Sequence, residues 1–279
     1  MKEASNYVAA IGRGLEFMRD GLPISSRLIR ETQAVLLHSG RGTGKQPGAF
    51  RTQQVWIGGT RLGNATFVPP PHDLVPDLVA DFERFIHRED DLPPLVRADI
   101  AHVHFETIHP FLDGNGRVGR LLITLMLREA GRLAQPLLYL SLYFKQNQED
   151  DYRLLNGVRF EGGWEAWLGF FLPGVRDTAG QAADSTKRLL ARIAADREVI
   201  DRAELRAHAL TVRRVFTFIQ ERPVFTVRTA TENTSLSQPA VDRAVRTLEG
   251  LGIVREVTGR KSRRVYVHER YLAILNEGI

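Results

Sequence analysis

The chain has 279 residues, of which 43% are hydrophobic and 25% charged, the proportions of a globular protein with room for one large or two modest domains. It has no cysteine, which excludes disulfides and thiolate metal sites and suits a reducing, cytoplasmic setting. No run of apolar residues is long enough for a membrane span and no basic-then-apolar leader opens the chain, while a formal net charge of +5 favours an anionic partner such as a nucleotide or nucleic acid.

In chain order, Ser5 to Arg19 and Ile24 to His38 carry apolar residues at three- and four-residue spacing and are predicted as helices. The glycine-rich stretch Ser39 to Gly48 contains G-T-G-K-Q. A phosphate-binding P-loop is excluded, because Ser39 stands where its first glycine belongs, Gln46 replaces its Ser or Thr, and a helix rather than a strand precedes it. Val55, Trp56 and Ile57, then Gly58-Gly59, then Ala65 to Val68 predict a short β-hairpin within about 50–68, closed by Pro69 to Pro71. Helices are expected over Asp73 to His87 and Leu95 to Ile108. The latter holds His102, His104 and Glu106, whose spacing matches no common zinc motif, so the histidines are expected to pack or hydrogen-bond in the core.

Residues His109 to Arg120 read H-P-F-L-D-G-N-G-R-V-G-R, ahead of an apolar helix carrying Val118, Leu121, Leu122, Leu125 and Met126. Asp-Gly and Asn-Gly are ordinary turn dipeptides, and Asn115 could cap the helix, but these readings explain the residues only singly. Together they form a site for a phosphate-bearing group. Gly114, Asn115 and Gly116 can present backbone N–H groups at a helix start, where an anion is favoured. Asp113 offers the hard oxygens that Mg²⁺ prefers. Arg117 and Arg120 lie one turn apart with forked donors, and His109 can take a proton from a hydroxyl. The helix N-terminus is expected to lower the pKa of His109 and keep it neutral.

Farther on, Leu137 to Tyr143 is apolar, Trp164 to Pro173 forms a large apolar cluster, and Ala179 to Arg206 reads as a long exposed helix. Helices are predicted over Leu210 to Glu221, from Val224 to Thr231, and over Gln238 to Leu251. Two strands follow at Ile253 to Val257 and Arg264 to Val267, joined by a basic turn.

The run from His109 to Arg120 resembles the H-P-F-x-D-G-N-G-R-x-G-R signature of the Fic family of protein adenylyltransferases at every fixed position. The resemblance implies a mostly α fold, with a Fic-type helical core and a small β-hairpin flap over residues 1–178. It implies transfer of AMP from Mg-ATP to a Ser, Thr or Tyr hydroxyl of a target protein or of the chain itself, with His109 as base and Asp113 on Mg²⁺. Gly114, Asn115, Gly116, Arg117 and Arg120 would then meet the phosphates. P-G-A-F-R-T-Q-Q-V-W-I-G-G resembles the family's flap, so Val55, Trp56, Ile57 and Gly58 are expected to dock a target segment as an added strand. L-Y-L-S-x-Y-F and the following Tyr extend the resemblance and imply Asn147, Tyr152 and Leu155 beside the adenine. Lysine holds the position of Gly116 in the kinase-like branch, so glycine implies nucleotidyl transfer.

The inhibitory [ST]-x-x-x-E-[GN] pattern of many relatives does not occur in the sequence. In relatives its helix lies just upstream of N-Y-V-A-A, so either the N-terminus is shortened or an inhibitory helix or antitoxin comes from a separate partner. Both imply a free Arg120 and high basal activity. Family members are often dimers, and a homodimer is the corresponding expectation. After a linking helix at 179–206, residues 207–279 resemble a winged helix-turn-helix. There Arg243, Arg246, Arg260, Lys261, Arg263 and Arg264 are the expected DNA contacts. The alternative function is a DNA-binding regulator whose Fic-like domain only senses nucleotide, and the intact His109 speaks against it.

Overall fold

The computed structural model describes residues 2–40, 42–133, 140–205, 208–260 and 262–277. The chain divides into two compact units, Met1–Ala179 and Gly180–Ile279. No described helix is long and apolar enough to cross a membrane.

The first unit is helical. Helices α1 (Lys2–Arg19) and α2 (Ser26–Leu36) pack as a pair, and α2 starts where the Ser25 hydroxyl accepts from the Leu28 amide. Leu28, Ile29 and Leu36 put the apolar face of α2 fully inside. Helix α3 (Val75–Ile86) follows, preceded by two single 3₁₀ turns at Leu62–Asn64 and His72–Leu74. Helix α4 (Pro94–Ile108) is apolar around most of its circumference because it lies in the centre, burying Ala98, Ala101, Val103, Phe105 and Ile108. It packs along α5 (Asn115–Glu129), whose Val118, Leu121, Leu122, Ile123 and Leu125 complete the core. Helices α6 (Leu140–Gln146) and α7 (Gln148–Glu161) and the start of α8 (Trp164–Arg202) close the unit. Trp167 anchors α8 to α4: fully buried, its indole Nε1–H donates to Asp99 Oδ1 at 2.7 Å.

Two expectations change here. The long helix read from Ala179 is the continuation of α8, which begins fifteen residues earlier at Trp164 and passes through Pro173 without ending. The hairpin within 50–68 is reduced to one antiparallel bridge, Ile57 with Phe67. Gly58 and Gly59 turn the chain immediately after Ile57 with positive φ, which leaves no length for further pairing.

The second unit contains α9 (Ala209–Glu221), α10 (Val227–Thr234), α11 (Gln238–Gly250) and α12 (Glu269–Asn276) around a three-stranded antiparallel sheet. Strands β1 (Val224–Thr226), β2 (Arg255–Glu256) and β3 (Val265–Val267) are ordered β1-β3-β2, with Phe225 opposite Tyr266. The helix expected from Val224 therefore starts at Val227. A β-branched and aromatic run after Pro223 pairs as a strand, and Thr226 ends it by capping α10 through its hydroxyl and the Thr229 amide, 3.1 Å apart. Val212, Val215, Val241, Val245 and Leu248 build this unit's core. Inside it, His268 Nε2 lies 2.8 Å from Asp196 Oδ2 of α8, both side chains almost fully buried.

Candidate active site

Helix α4 ends at its C-cap His109, which takes the left-handed conformation at φ 50° and ψ 59°. For a residue with a side chain this backbone is costly, and the surrounding structure has to hold it. Arg51 does so. Only 2% exposed, it sends Nε to the His109 carbonyl at 2.9 Å and Nη2 to that of Ile108 at 3.4 Å, while its own amide donates to the Pro110 carbonyl at 2.9 Å. Further bonds reach the carbonyls of Gln53 and Pro70. The buried guanidinium is thus paired with carbonyl dipoles around the turn.

The following loop closes on itself. The Asn115 side chain accepts from the Phe111 amide at 2.9 Å and donates to the Phe111 carbonyl at 2.8 Å. The Asn115 side chain is thus buried and occupied, and its backbone amide at the helix start is the group left for the expected phosphate role. Gly114, at φ 87°, is the N-cap of α5 and offers no side chain to the first-turn amides, so these donors have no intrahelical or side-chain cap. Asp113 pairs with Arg117 at 3.2 Å, and its carbonyl accepts from Gln33 Nε2 at 3.0 Å. The glycine-rich loop passes directly beside it: a Cβ at Gly42 would stand 2.9 Å from Asp113 Oδ2. Arg120 donates from Nε to Ser141 Oγ at 3.2 Å, and its guanidinium lies over the Phe144 ring. Among the described residues no carboxylate lies within 4.0 Å of Arg120.

A cavity of about 240 Å³ opens here, lined by His109, Gly116 and Arg120 of the motif and by Ile57, Tyr152 and Leu155. Asn147, expected beside the adenine, is not among the lining residues, and its side-chain amide donates back to the Tyr143 carbonyl at 2.8 Å. The remaining wall includes Glu106, Ser141, Phe144, Lys145, Gln148, Asp151 and Arg159. Of these only Glu106 stands out in the sequence, through its spacing from His102 and His109. The others come from α6 and α7; Ser141 and Phe144 fall within the L-Y-L-S-x-Y-F run, and nothing local in the sequence marks Lys145, Gln148, Asp151 or Arg159.

Electrostatics in this cavity are set by burial. It pushes His109 down to about 4, helped by the nearby cations Arg159 and Arg51. Burial is thus the leading cause, where the sequence pointed to the helix N-terminus; His109 is the C-cap of α4 and shares its cavity with Gly116 at the start of α5. Its Nδ1 lies 3.8 Å from Glu106 Oε2. Burial raises the Glu106 carboxyl and lifts Asp151 to about 7, the second reinforced by Glu106. His102, stacked on Trp167 and tilted against Phe144, is pushed down to about 3 by burial and then by Arg120. It is a core histidine, and among the described residues no group of His, Asp and Glu is arranged to hold a metal by itself.

Residues Val55, Trp56, Ile57 and Gly58 lie at the rim. Trp56 is 44% exposed and does not pack beneath the loop, whereas Ile57 faces the cavity and exchanges backbone hydrogen bonds of 2.9 and 3.1 Å with Phe67. In the second unit, a groove of about 870 Å³ runs between α10, α11 and the β2–β3 loop. Arg228, Arg246, Arg263 and Arg264 line it together with Gln238, Asp242 and Tyr266. Arg243 is exposed on α11 outside the groove, Arg260 lies in the loop outside it, and Lys261 lies outside the described residues.

Residues 23–127 match the sequence model of the Fic/DOC family. This segment is similar to a Fic/DOC domain. It takes in the rim bridge, Arg51 and the whole run from His109 to Arg120. Among curated relatives, the "Probable protein adenylyltransferase" of Aquifex aeolicus is 44% identical over 69 residues, which is 25% of this chain and 22% of the relative. The "Protein adenylyltransferase Fic" of Drosophila yakuba is 44% identical over 87 residues, or 30% of this chain and 16% of the relative. The matches thus span less than a quarter of either relative. A crystal structure of a Fic family protein from Desulfovibrio desulfuricans superposes with a TM-score of 0.56 at 24% identity, covering 96% of this chain and 74% of that one. The fold is therefore Fic-like and mostly helical, with a small antiparallel sheet.

Proposed function

We propose that the protein transfers AMP from Mg-ATP to a hydroxyl of a protein target, or of itself. The observation that carries this reading is a half-buried His109, held neutral by desolvation, sharing one cavity with Arg120 and with the open start of α5. A base must be unprotonated to act, and His109 is so throughout the physiological range. Nδ1 is buried against Glu106, which leaves Nε2 to receive the proton. The hydroxyl oxygen attacks the α-phosphorus, its proton passes to His109, the bond to the β-phosphate breaks, and pyrophosphate leaves. Uncapped amides of Asn115, Gly116 and Arg117 and the Arg120 guanidinium would stabilise charge on the phosphates. Tyr152 and Leu155 supply aromatic and apolar surface for a base.

Asp113 fits Mg²⁺: it is a lone oxygen donor with one charge partner, and this ion takes few protein ligands and shares its shell with water and substrate phosphates. When bound, the ion would neutralise charge on the phosphates. The flap segment from Val55 to Gly58 is the reading's docking edge for the target. Incubation with α-labelled ATP and Mg²⁺, beside His109→Ala, tests the assignment. Covalent label in the parent alone supports it, and no label in either despite bound ATP sinks it.

For the second unit the basic groove favours nucleic acid. The order of helices, the small sheet and the basic loop support a winged-helix reading, with Arg246, Arg263 and Arg264 on phosphates and Arg228 added by the groove. Binding of a labelled duplex of arbitrary sequence should weaken steeply with salt, and no binding at low salt would remove this role.

A further inference from the structure

We propose that Arg159 is a positioning residue that clamps the rim segment carrying Ile57 and Phe67 onto the turn that presents His109. The inference rests on the transferase reading above. Arg159, on α7, uses the edge of its guanidinium for the last turn of α4: Nη2 donates to the Glu106 carbonyl at 2.9 Å and Nε to Thr107 Oγ1 at 3.3 Å. Its remaining fork, Nη1, is steadied by Asn156 Oδ1 at 3.1 Å. The flat face is thereby left for Phe67, whose ring centroid lies 3.9 Å from Cζ. Phe160, the next residue of α7, meets the same ring edge-on at 6.1 Å. One side chain thus holds two residues just before His109 with its edge and the rim with its face.

The rim needs such an anchor. Its backbone pairing is a single bridge, and its outer residues Trp56 and Val68 are each 44% exposed. Gln54, whose Nε2 donates to the Pro69 carbonyl at 2.9 Å, and Arg51, which donates to the carbonyls of Gln53 and Pro70, tie the base of the segment and leave its tip to Phe67. A target strand laid on the outside of Ile57 would press the Phe67 ring onto Arg159, so seating of the target and placement of His109 share a component. Only arginine can do this, because the edge donors and the stacking face belong to one planar group; lysine supplies a point charge.

Backbone amide exchange resolved by residue tests the clamp without any substrate. Parent, Arg159→Lys, Arg159→Ala and Phe67→Leu would be compared, with urea unfolding as the control for global stability. The clamp requires that the Ile57 and Phe67 amides exchange about tenfold faster in each folded variant, while Leu122 in the core keeps its protection. It also requires that the His109 amide, which donates to the Phe105 carbonyl, loosen in Phe67→Leu, where the ring removed lies on Arg159 and not on the turn-holding Arg51 guanidinium. Parent-like exchange at Ile57 and Phe67 in Arg159→Lys overturns the proposal, as does an unchanged His109 amide in Phe67→Leu. Should Arg159→Ala fail to fold, those two conservative variants still decide. Self-labelling with α-labelled ATP is recorded in parallel: a parent that does not label defeats the transferase reading, whereas the exchange data judge the clamp separately.

Discussion

Arg51 and His109 are 58 positions apart in sequence, yet Arg51 Nε lies 2.9 Å from the His109 carbonyl and the same guanidinium reaches the carbonyl of Ile108. The left-handed turn that aims the histidine into the cavity is therefore held from outside the motif. A strained backbone persists only where neighbours over-determine it, and here one buried cation does that for consecutive carbonyls.

Arg51→Met keeps most of the volume and removes the donors. It leaves buried carbonyls around His109 without partners, which costs about 3 kcal/mol by the usual penalty for orphaned buried acceptors. Urea unfolding should show that loss, and labelling should fall further than the residual folded fraction explains. A variant as stable as the parent would mean that water replaces the guanidinium without loss.

His109 should remain neutral down to about pH 4, which a ring-carbon chemical-shift titration would read directly. The sign for stability follows. The unfolded histidine takes up a proton near 6.5 and the folded one only near 4, so His109 contributes full stability above 6.5 and loses it as pH falls from 6.5 towards 4. A titration midpoint near the ordinary histidine value would show that the ring is wetter than its burial indicates.

Asp151 runs the other way. Its folded carboxyl is lifted to about 7 from 3.8, by burial and then by Glu106, against the pull of Arg120 and Arg159. Between these values the folded state holds a proton that the unfolded state releases, so stability is lost as pH rises from 3.8 to 7. Asp151→Asn removes this titration and should be more stable than the parent at pH 8, with the gain shrinking as pH approaches 4. Equal stability at pH 8 would mean that the carboxylate finds solvation on ionising.

Gly119 lies where α5 crosses α4: a Cβ there would stand 2.6 Å from Glu106 Oε1 and 3.0 Å from His102 Nδ1. Both groups are buried in the packed crossing, so one of them must shift towards the cavity they line. Gly119→Ala should cost roughly 1–3 kcal/mol, the usual range for overpacking a core, instead of the small gain alanine gives in an open helix. Thermal unfolding separates the two signs.

What the sequence shows about this molecule is what lies close together in it. The apolar spacing of Leu28, Ile29 and Leu36, or of Val118, Leu121, Leu122 and Leu125, reports helices because one face must be buried. The run from His109 to Arg120 concentrates its chemistry in twelve residues, and the cavity brings its His109, Gly116 and Arg120 together with Tyr152 and Leu155. Arg51, Gln33 and Arg159 are not legible in this way, since an arginine or glutamine among polar neighbours looks solvated until the tertiary fold supplies its partners. Val224 to Thr226 shows the complementary failure: three residues carry too little period to separate strand from helix, and only pairing with β3 decides. Asn147, expected beside the adenine from the family resemblance, carries a further partner that only the fold reveals, the Tyr143 carbonyl.

Arg120 gives the last prediction. Among the described residues its hydrogen-bond partner is the Ser141 hydroxyl, which leaves the guanidinium its charge for a phosphate, whereas a carboxylate would neutralise it. This chain should therefore label with Mg-ATP as purified, without prior activation. Arg120→Ala should lower labelling by about 10² to 10³, the usual loss when one donor to developing charge is removed. Ser141→Ala, which frees the guanidinium without touching its charge, should change labelling less than threefold, within about 0.6 kcal/mol. Initial rates for the three proteins at one ATP concentration check both claims. An inert parent that gains activity on removal of Ser141 would show that the hydroxyl holds Arg120 in an unproductive position.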